Sequence, residues 1–194
     1  MSLRILQEPA VEPVTLAEAK LHLRVDHNDE DALIQGLIKL ARQDIERMCT
    51  VALIEQSWSL ALDYWPGRLF ELPIWPVASL DGITWRDGAG QTQTVDPTIY
   101  AADFASRPAR VALVEGANWP DGELWPLGAV SIQFTAGFGA DGTAVPERYR
   151  QAMLLLIGHY YENREATLTG TGANVQLLPF GVTALLSDDL AWAR

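Results

Sequence analysis

The residues able to do chemistry are few and poorly companioned. His159 and Glu162 stand one helical turn apart, a spacing that could set a general base beside a carboxylate or supply two metal ligands. No His-Glu-x-x-His pattern and no third ligand accompany them, so His159, inside an apolar helix face, is expected to be a buried, hydrogen-bonded core residue. A hydrolase built on the pair would instead need a solvent-open cleft there. His22 and His27 lie near carboxylates but have no nucleophile in a triad setting. Asp26, Asn28 and Glu30 have the alternate spacing of a calcium loop, yet Asp31 stands where that loop needs glycine and Leu37 where it needs glutamate. An acidic cap on a helix N-terminus is the plainer reading. Gly137, Gly139 and Gly142 match a G-x-G-x-x-G pattern without the βαβ unit that gives it meaning, so a simple strand-to-helix connection is expected. Thr169-Gly170-Thr171-Gly172 lacks the Lys-Ser/Thr of a phosphate loop. Cys49, the single cysteine, ends an amphipathic helix and reads as a small core residue. No catalytic residue, cofactor site or metal site is expected.

Composition narrows the classes further. The chain has 194 residues, 48% apolar and 20% charged, which suits a packed protein and excludes a disordered one. It lacks an apolar run of about 18 residues, so no transmembrane helix is expected, and its start has no secretory-signal pattern. One cysteine excludes an internal disulfide and fits synthesis in a reducing cytoplasm. Twenty-five acidic against fourteen basic residues give a net charge of −11. That excess opposes a cationic grip on phosphates or on an anionic membrane. The acids are spread along the chain rather than gathered in a tail.

The elements that must position these residues fall into three regions. Residues 1–56 read as helical. Thr15 and Glu18 have capping-box spacing, Leu16, Ala19 and Leu23 form a stripe, and the acids from Asp26 onward open a second helix. Leu33, Ile34, Leu37, Ile38, Ala41, Ile45 and Met48 recur at helical spacing, with Lys39, Arg42 and Arg47 placed on the other faces. From 57 to 140 the period becomes two. Residues 58–63, 82–87 and 130–134 read as strands, with weaker ones at 70–72, 93–95 and 110–115, separated by Pro and Gly turns. Residues 141–165 are expected to complete the helical body with a helix opened by Pro146, whose apolar face is Ala152, Met153, Leu155, Leu156, His159 and Tyr160. Residues 166–175, rich in Thr and Gly, are expected to be a linker before a second apolar segment at 177–186. The fold class is α+β: a helical body with an inserted small antiparallel β subdomain.

All tryptophans but Trp192 fall in the middle region: Trp58, Trp65, Trp75, Trp85, Trp119 and Trp125. They could form a sugar-stacking platform in a carbohydrate or host-surface binding module. The plainer reading is that a small sheet needs large side chains to bury enough surface, and Trp65, Trp75, Trp119 and Trp125 each precede a proline.

The layout resembles the tailed-phage head–tail connector proteins, the adaptor or head-completion proteins also found in gene transfer agents. The resemblance is carried by Glu12-Pro13-Val14-Thr15-Leu16-Ala17-Glu18-Ala19-Lys20-Leu21-His22-Leu23-Arg24-Val25 followed by Asp29-Glu30-Asp31-Ala32-Leu33-Ile34. A second match is Val145-Pro146-Glu147-Arg148-Tyr149-Arg150-Gln151-Ala152 through His159-Tyr160-Tyr161-Glu162-Asn163-Arg164-Glu165, and a looser third runs through Leu178-Pro179-Phe180-Gly181-Val182-Thr183-Ala184-Leu185-Leu186. The middle looks like the larger members that carry a β insertion.

The resemblance implies a structural protein of the particle's head–tail junction, assembled in the bacterial cytoplasm. It implies a homo-oligomeric ring, a dodecamer in the particle and possible as a monomer in isolation, docked beneath the portal protein around the channel for double-stranded DNA. The ring would offer a surface to the next head-closure or tail protein, with no sequence-specific DNA contact and no membrane. Members bind portal through the C-terminal segment, here 166–194. Leu177, Leu178, Phe180, Val182, Leu185, Leu186 and Trp192 are therefore the docking candidates. Folding of this segment back on its own domain is the alternative.

Overall fold

The computed structural model describes residues 1–163 and 180–192. It is α+β and divides into two compact units, Met1–Ala10 with Glu55–Phe138, and Val11–Ile54 with Gly139–Arg194. The linker expected at 166–175 lies outside the described residues.

The first unit holds eight strands in two antiparallel sheets. β1 (Ser2–Gln7), β2 (Gln56–Leu62), β4 (Val77–Arg86), β5 (Thr92–Thr94) and β8 (Val130–Ala136) form one sheet in the order β1-β2-β8-β4-β5. β3 (Leu69–Leu72), β6 (Tyr100–Asp103) and β7 (Ala109–Leu113) form the other, in the order β3-β7-β6. Alternation explains the larger sheet. Leu60, Ile132 and Ile83 stand in register across three strands, and all are buried. The opposite face carries short polar side chains, with Ser59 Oγ 3.1 Å from Ser131 Oγ.

Two strands depart from the sequence expectation. Residues 1–56 are not wholly helical, because Ser2–Gln7 pairs antiparallel with β2, Leu3 opposite Leu60 and Ile5 opposite Trp58. Its side chains are almost all exposed, so no alternation betrayed it. β6 was likewise unforeseen. Its Tyr-Ala-Ala-Asp segment is ordered by pairing with β7 rather than by its own pattern.

The second unit holds α1 (Leu16–Leu23), α2 (Asp31–Cys49), α3 (Glu147–Glu162), α4 (Phe180–Leu185) and α5 (Ser187–Trp192). α1 starts on the expected capping box: Glu18 N–H donates to Thr15 Oγ1 at 3.2 Å and Thr15 N–H to Glu18 Oε2 at 2.8 Å. α2 begins at Asp31, later than the acids suggested, and buries Ile34, Ile38, Ala41, Ile45 and Cys49. Pro146 caps α3, which buries Tyr149, Ala152, Met153, Leu156 and Ile157. α4 packs on α3, and α5 approaches α2.

Candidate functional site

The residues singled out for chemistry are scattered and already engaged. His159 is half-buried rather than buried: its ring lies 5.8 Å from that of Tyr160, and Asn163 Nδ2 approaches its Nδ1 at 3.4 Å. Glu162 is exposed beside it, on the last turn of α3. The acidic stretch at 26–31 is organised by a cation of the chain itself. Lys20 Nζ donates to Asn28 Oδ1 and Asp31 Oδ1, both at 2.7 Å, while Glu30 accepts from the Tyr161 hydroxyl. Among the described residues no group of three His, Cys, Asp or Glu could hold a metal ion. Cys49 is 1% exposed, as expected of a core residue.

The glycines from 137 to 142 lie in the connection from strand to helix. β8 ends at Ala136 and a 3-10 turn at Gly142–Ala144 leads into α3, and among the described residues no parallel strand follows. A Cβ on Gly142 would stand 2.5 Å from the Pro13 carbonyl oxygen, a clash that only glycine avoids. The same contact lets Arg150 Nη1 donate to the carbonyls of Gly142 (2.9 Å) and Pro13 (3.2 Å), while its Nη2 reaches Glu18 Oε1 at 2.5 Å.

Charge inside the helical unit is placed structurally. Arg42 was expected on an outer face of α2 but is 2% exposed. Its Nε donates to Glu12 and its Nη1 to Glu46, each at 2.7 Å, and Glu46 also accepts from the Leu53 N–H at 2.9 Å. Burial works against the guanidinium, yet the hydrogen bond to Glu12 and the charges of Glu46 and Glu12 outweigh it and raise its pKa. Glu46 at i+4 was the available signal, since a long cation paired one turn away can enter a core. Burial also pushes Tyr149 up to about 12 and raises Tyr160, whose hydroxyl donates to Asp44 Oδ2 at 2.7 Å.

The tryptophans form an aromatic cluster rather than an open platform. The Trp65 and Trp119 rings stack with centroids 5.2 Å apart and planes 1° from parallel, so each indole covers a face of the other. Trp85 leans on Trp65 at 5.8 Å, and Phe70 on Trp119 at 6.3 Å. Trp119 Nε1 donates to the Pro66 carbonyl at 2.9 Å. Two more are covered by cations, Trp125 by Arg86 at 4.8 Å and Trp75 by Arg107 at 4.6 Å. An open groove of about 350 Å³ beside Trp65 and Phe70 is apolar apart from Asp63 and Glu71.

The docking candidates separate into two groups. Val182 and Leu186 are buried, at 1% and 0% exposure, and Leu185 is half-buried. Phe180 and Trp192 are 77% and 62% exposed. Leu177 and Leu178 lie outside the described residues. α4 and α5 are thus folded onto their own unit, the alternative left open by the sequence. Asp189, for which the sequence offers no signal of burial, anchors them: it is 1% exposed and meets Arg148 Nη2 at 3.1 Å.

Likeness to known proteins supplies the role. Residues 13–67 match the family model described as phage gp6-like head-tail connector protein. A chain in the neck of an empty GTA (gene transfer agent) particle computed with C6 symmetry is 32% identical, with a TM-score of 0.79 over 97% of this chain and 95% of that one. A chain of the native GTA virion is 31% identical with a TM-score of 0.80, over 97% and 94%. One from the native neck computed with C12 symmetry is 31% identical with a TM-score of 0.77, over 97% and 94%. No curated protein sequence matches. The chain belongs to the head–tail connector family, and its role is that of a structural connector.

Proposed function

We propose that the chain forms a closed ring at the head–tail junction of a tailed phage, prophage or gene transfer agent. The ring sits beneath the portal, surrounds the DNA channel and presents the attachment surface for head-closure or tail proteins. One observation carries the reading: the likeness to GTA neck chains spans both units at 31–32% identity, so the β unit is shared as well as the helices. The helical unit and the unit of residues 1–10 and 55–138 are the two parts from which each subunit of such a ring would be built. Twelve copies satisfy both symmetries in which the similar chains occur.

Function then follows from geometry and charge. A closed ring is heterologous, so each subunit presents two different faces. A net charge of −11 per subunit makes the ring strongly anionic, and an anionic lumen repels phosphates and lets the duplex slide. Portal docking is assigned to the C-terminal segment, with Phe180 and Trp192 as its exposed apolar side chains and Leu177 and Leu178 continuing it in sequence. Val182, Leu185 and Leu186 hold the segment to the body and become docking residues only if it is released. Mixing the chain with its portal and imaging the product tests the reading: a ring on the portal is expected, and a chain that never engages portal would sink it. The carbohydrate-binding alternative gains nothing from indoles that cover one another.

A further inference from the structure

α2 carries a second apolar stripe, turned away from its own core. Leu33 and Leu40 are 39% and 42% exposed, while Ile34, Ile38, Ala41, Ile45 and Cys49 are buried on the other side. Leu33, Gly36, Leu40, Gln43 and Arg47 follow one another at alternating steps of three and four, the spacing of a seam that one helix presents to another.

Gly36 sharpens the argument. Glycine is, after proline, the residue least suited to a helix interior. A Cβ at Gly36 would meet nothing within 4 Å among the described residues, so packing against them does not require its smallness. A foreign helix lying along the seam would, because a glycine between two leucines lets backbones approach closely.

We propose that this seam is a subunit contact that receives a helix from a second copy of the chain; the inference rests on the ring reading above. The similar chains stand in necks of C6 and C12 symmetry, where every copy meets other copies. The seam ends on Arg47, whose side chain is 77% exposed; one guanidinium nitrogen meets Asp44 of its own helix at 2.8 Å, and the others can donate to a carboxylate of a second copy, in which 25 acidic residues stand against 14 basic. Leucines flanking a glycine offer nothing to a DNA phosphate.

The test places a photo-crosslinking residue at position 40 and follows L40E and G36A by mass measurement and electron microscopy, alone and with portal. Leu127, 74% exposed in the other unit, supplies the control L127E. Expected are crosslinks between copies, assembly weakened about tenfold or more by a carboxylate on the seam, and normal assembly of L127E. G36A should raise the melting temperature of the monomer while weakening the ring, a combination that a purely intramolecular role cannot give. Wild-type rings together with undisturbed L40E rings would overturn the seam and leave the ring reading standing. Crosslinks to portal instead of a second copy would overturn it too. So would a lowered melting temperature of monomeric L40E, which would mark the seam as covered by the chain itself. A wild type that forms no ring, with or without portal, would remove the ring reading and the seam together.

Discussion

Asp189 on α5 and Arg148 on α3, forty-one positions apart in sequence, form the ionic contact that holds the end of the chain on its own helical unit. The carboxylate is 1% exposed, whereas the guanidinium side chain keeps 40% of its surface and also lies over the Tyr149 ring at 4.9 Å. Replacing Arg148 with Met should cost about 1–3 kcal/mol, because it removes a charged partner from a buried acid. Hydrogen exchange is the readout. Amides of α4 and α5 should speed up in the variant while those in the middle of α3 stay protected. Uniform change across all three helices would mean that the contact does not hold the segment.

Arg42 supports the other side of the same unit. Arg42→Leu leaves Glu12 and Glu46 without the cation between them and should destabilise the fold by about 2–4 kcal/mol in urea unfolding, the upper part of the range being moderated by the partial exposure of Glu12. Arg42→Lys keeps the charge but loses the fork that reaches two carboxylates, so an intermediate loss is expected. Equal stability of Lys and Arg would refute the role given to the fork.

Acid should loosen the helical unit through Glu18. Hydrogen bonds from the Thr15 backbone and hydroxyl, and then the Arg150 charge, hold its carboxyl below the ordinary value of 4.5. A depressed carboxyl binds its proton more readily when unfolded. It therefore contributes stability above that ordinary value and loses it as pH falls through the lower folded one. Glu18→Gln should flatten this part of the stability–pH curve while leaving the alkaline side unchanged. On that side, Tyr149 deprotonates only near 12 in the folded chain, so ionisation from the ordinary 10 upward favours unfolding. A Glu18→Gln curve parallel to that of the wild type would contradict the assignment.

The stacked indoles give the β unit an optical signature. Rings 5.2 Å apart and parallel should couple, producing a paired positive and negative band in circular dichroism. Trp119→Phe should abolish the pair and cost about 1–2 kcal/mol, from the lost stack and the lost bond to the Pro66 carbonyl. Persistence of the band pair would show that another pair of rings produces it.

How much of this could be read beforehand depended on where the signal lay. The capping box at Thr15 and Glu18, the long α2, the Pro146 start and strands β2, β4 and β8 were legible because capping and periodicity are local properties. β1 was not, since an edge strand with exposed side chains takes its identity from its neighbour. Arg42 is buried because it pairs with Glu46, one turn away, and with Glu12, thirty residues away, and only the first of these partners is visible in the local sequence. For Val182 and Leu186 the apolar pattern was visible, but whether it would meet the chain's own helices or a partner is a tertiary question that the pattern does not contain.

Ring formation is what the connector role depends on most. Electron microscopy of the purified chain bound to its portal, or of the particle's neck, counts the copies directly. A closed ring of twelve seated under the portal is expected, its neighbours meeting along α2. Saturating portal with no ring formed, and the chain remaining a monomer, would contradict it.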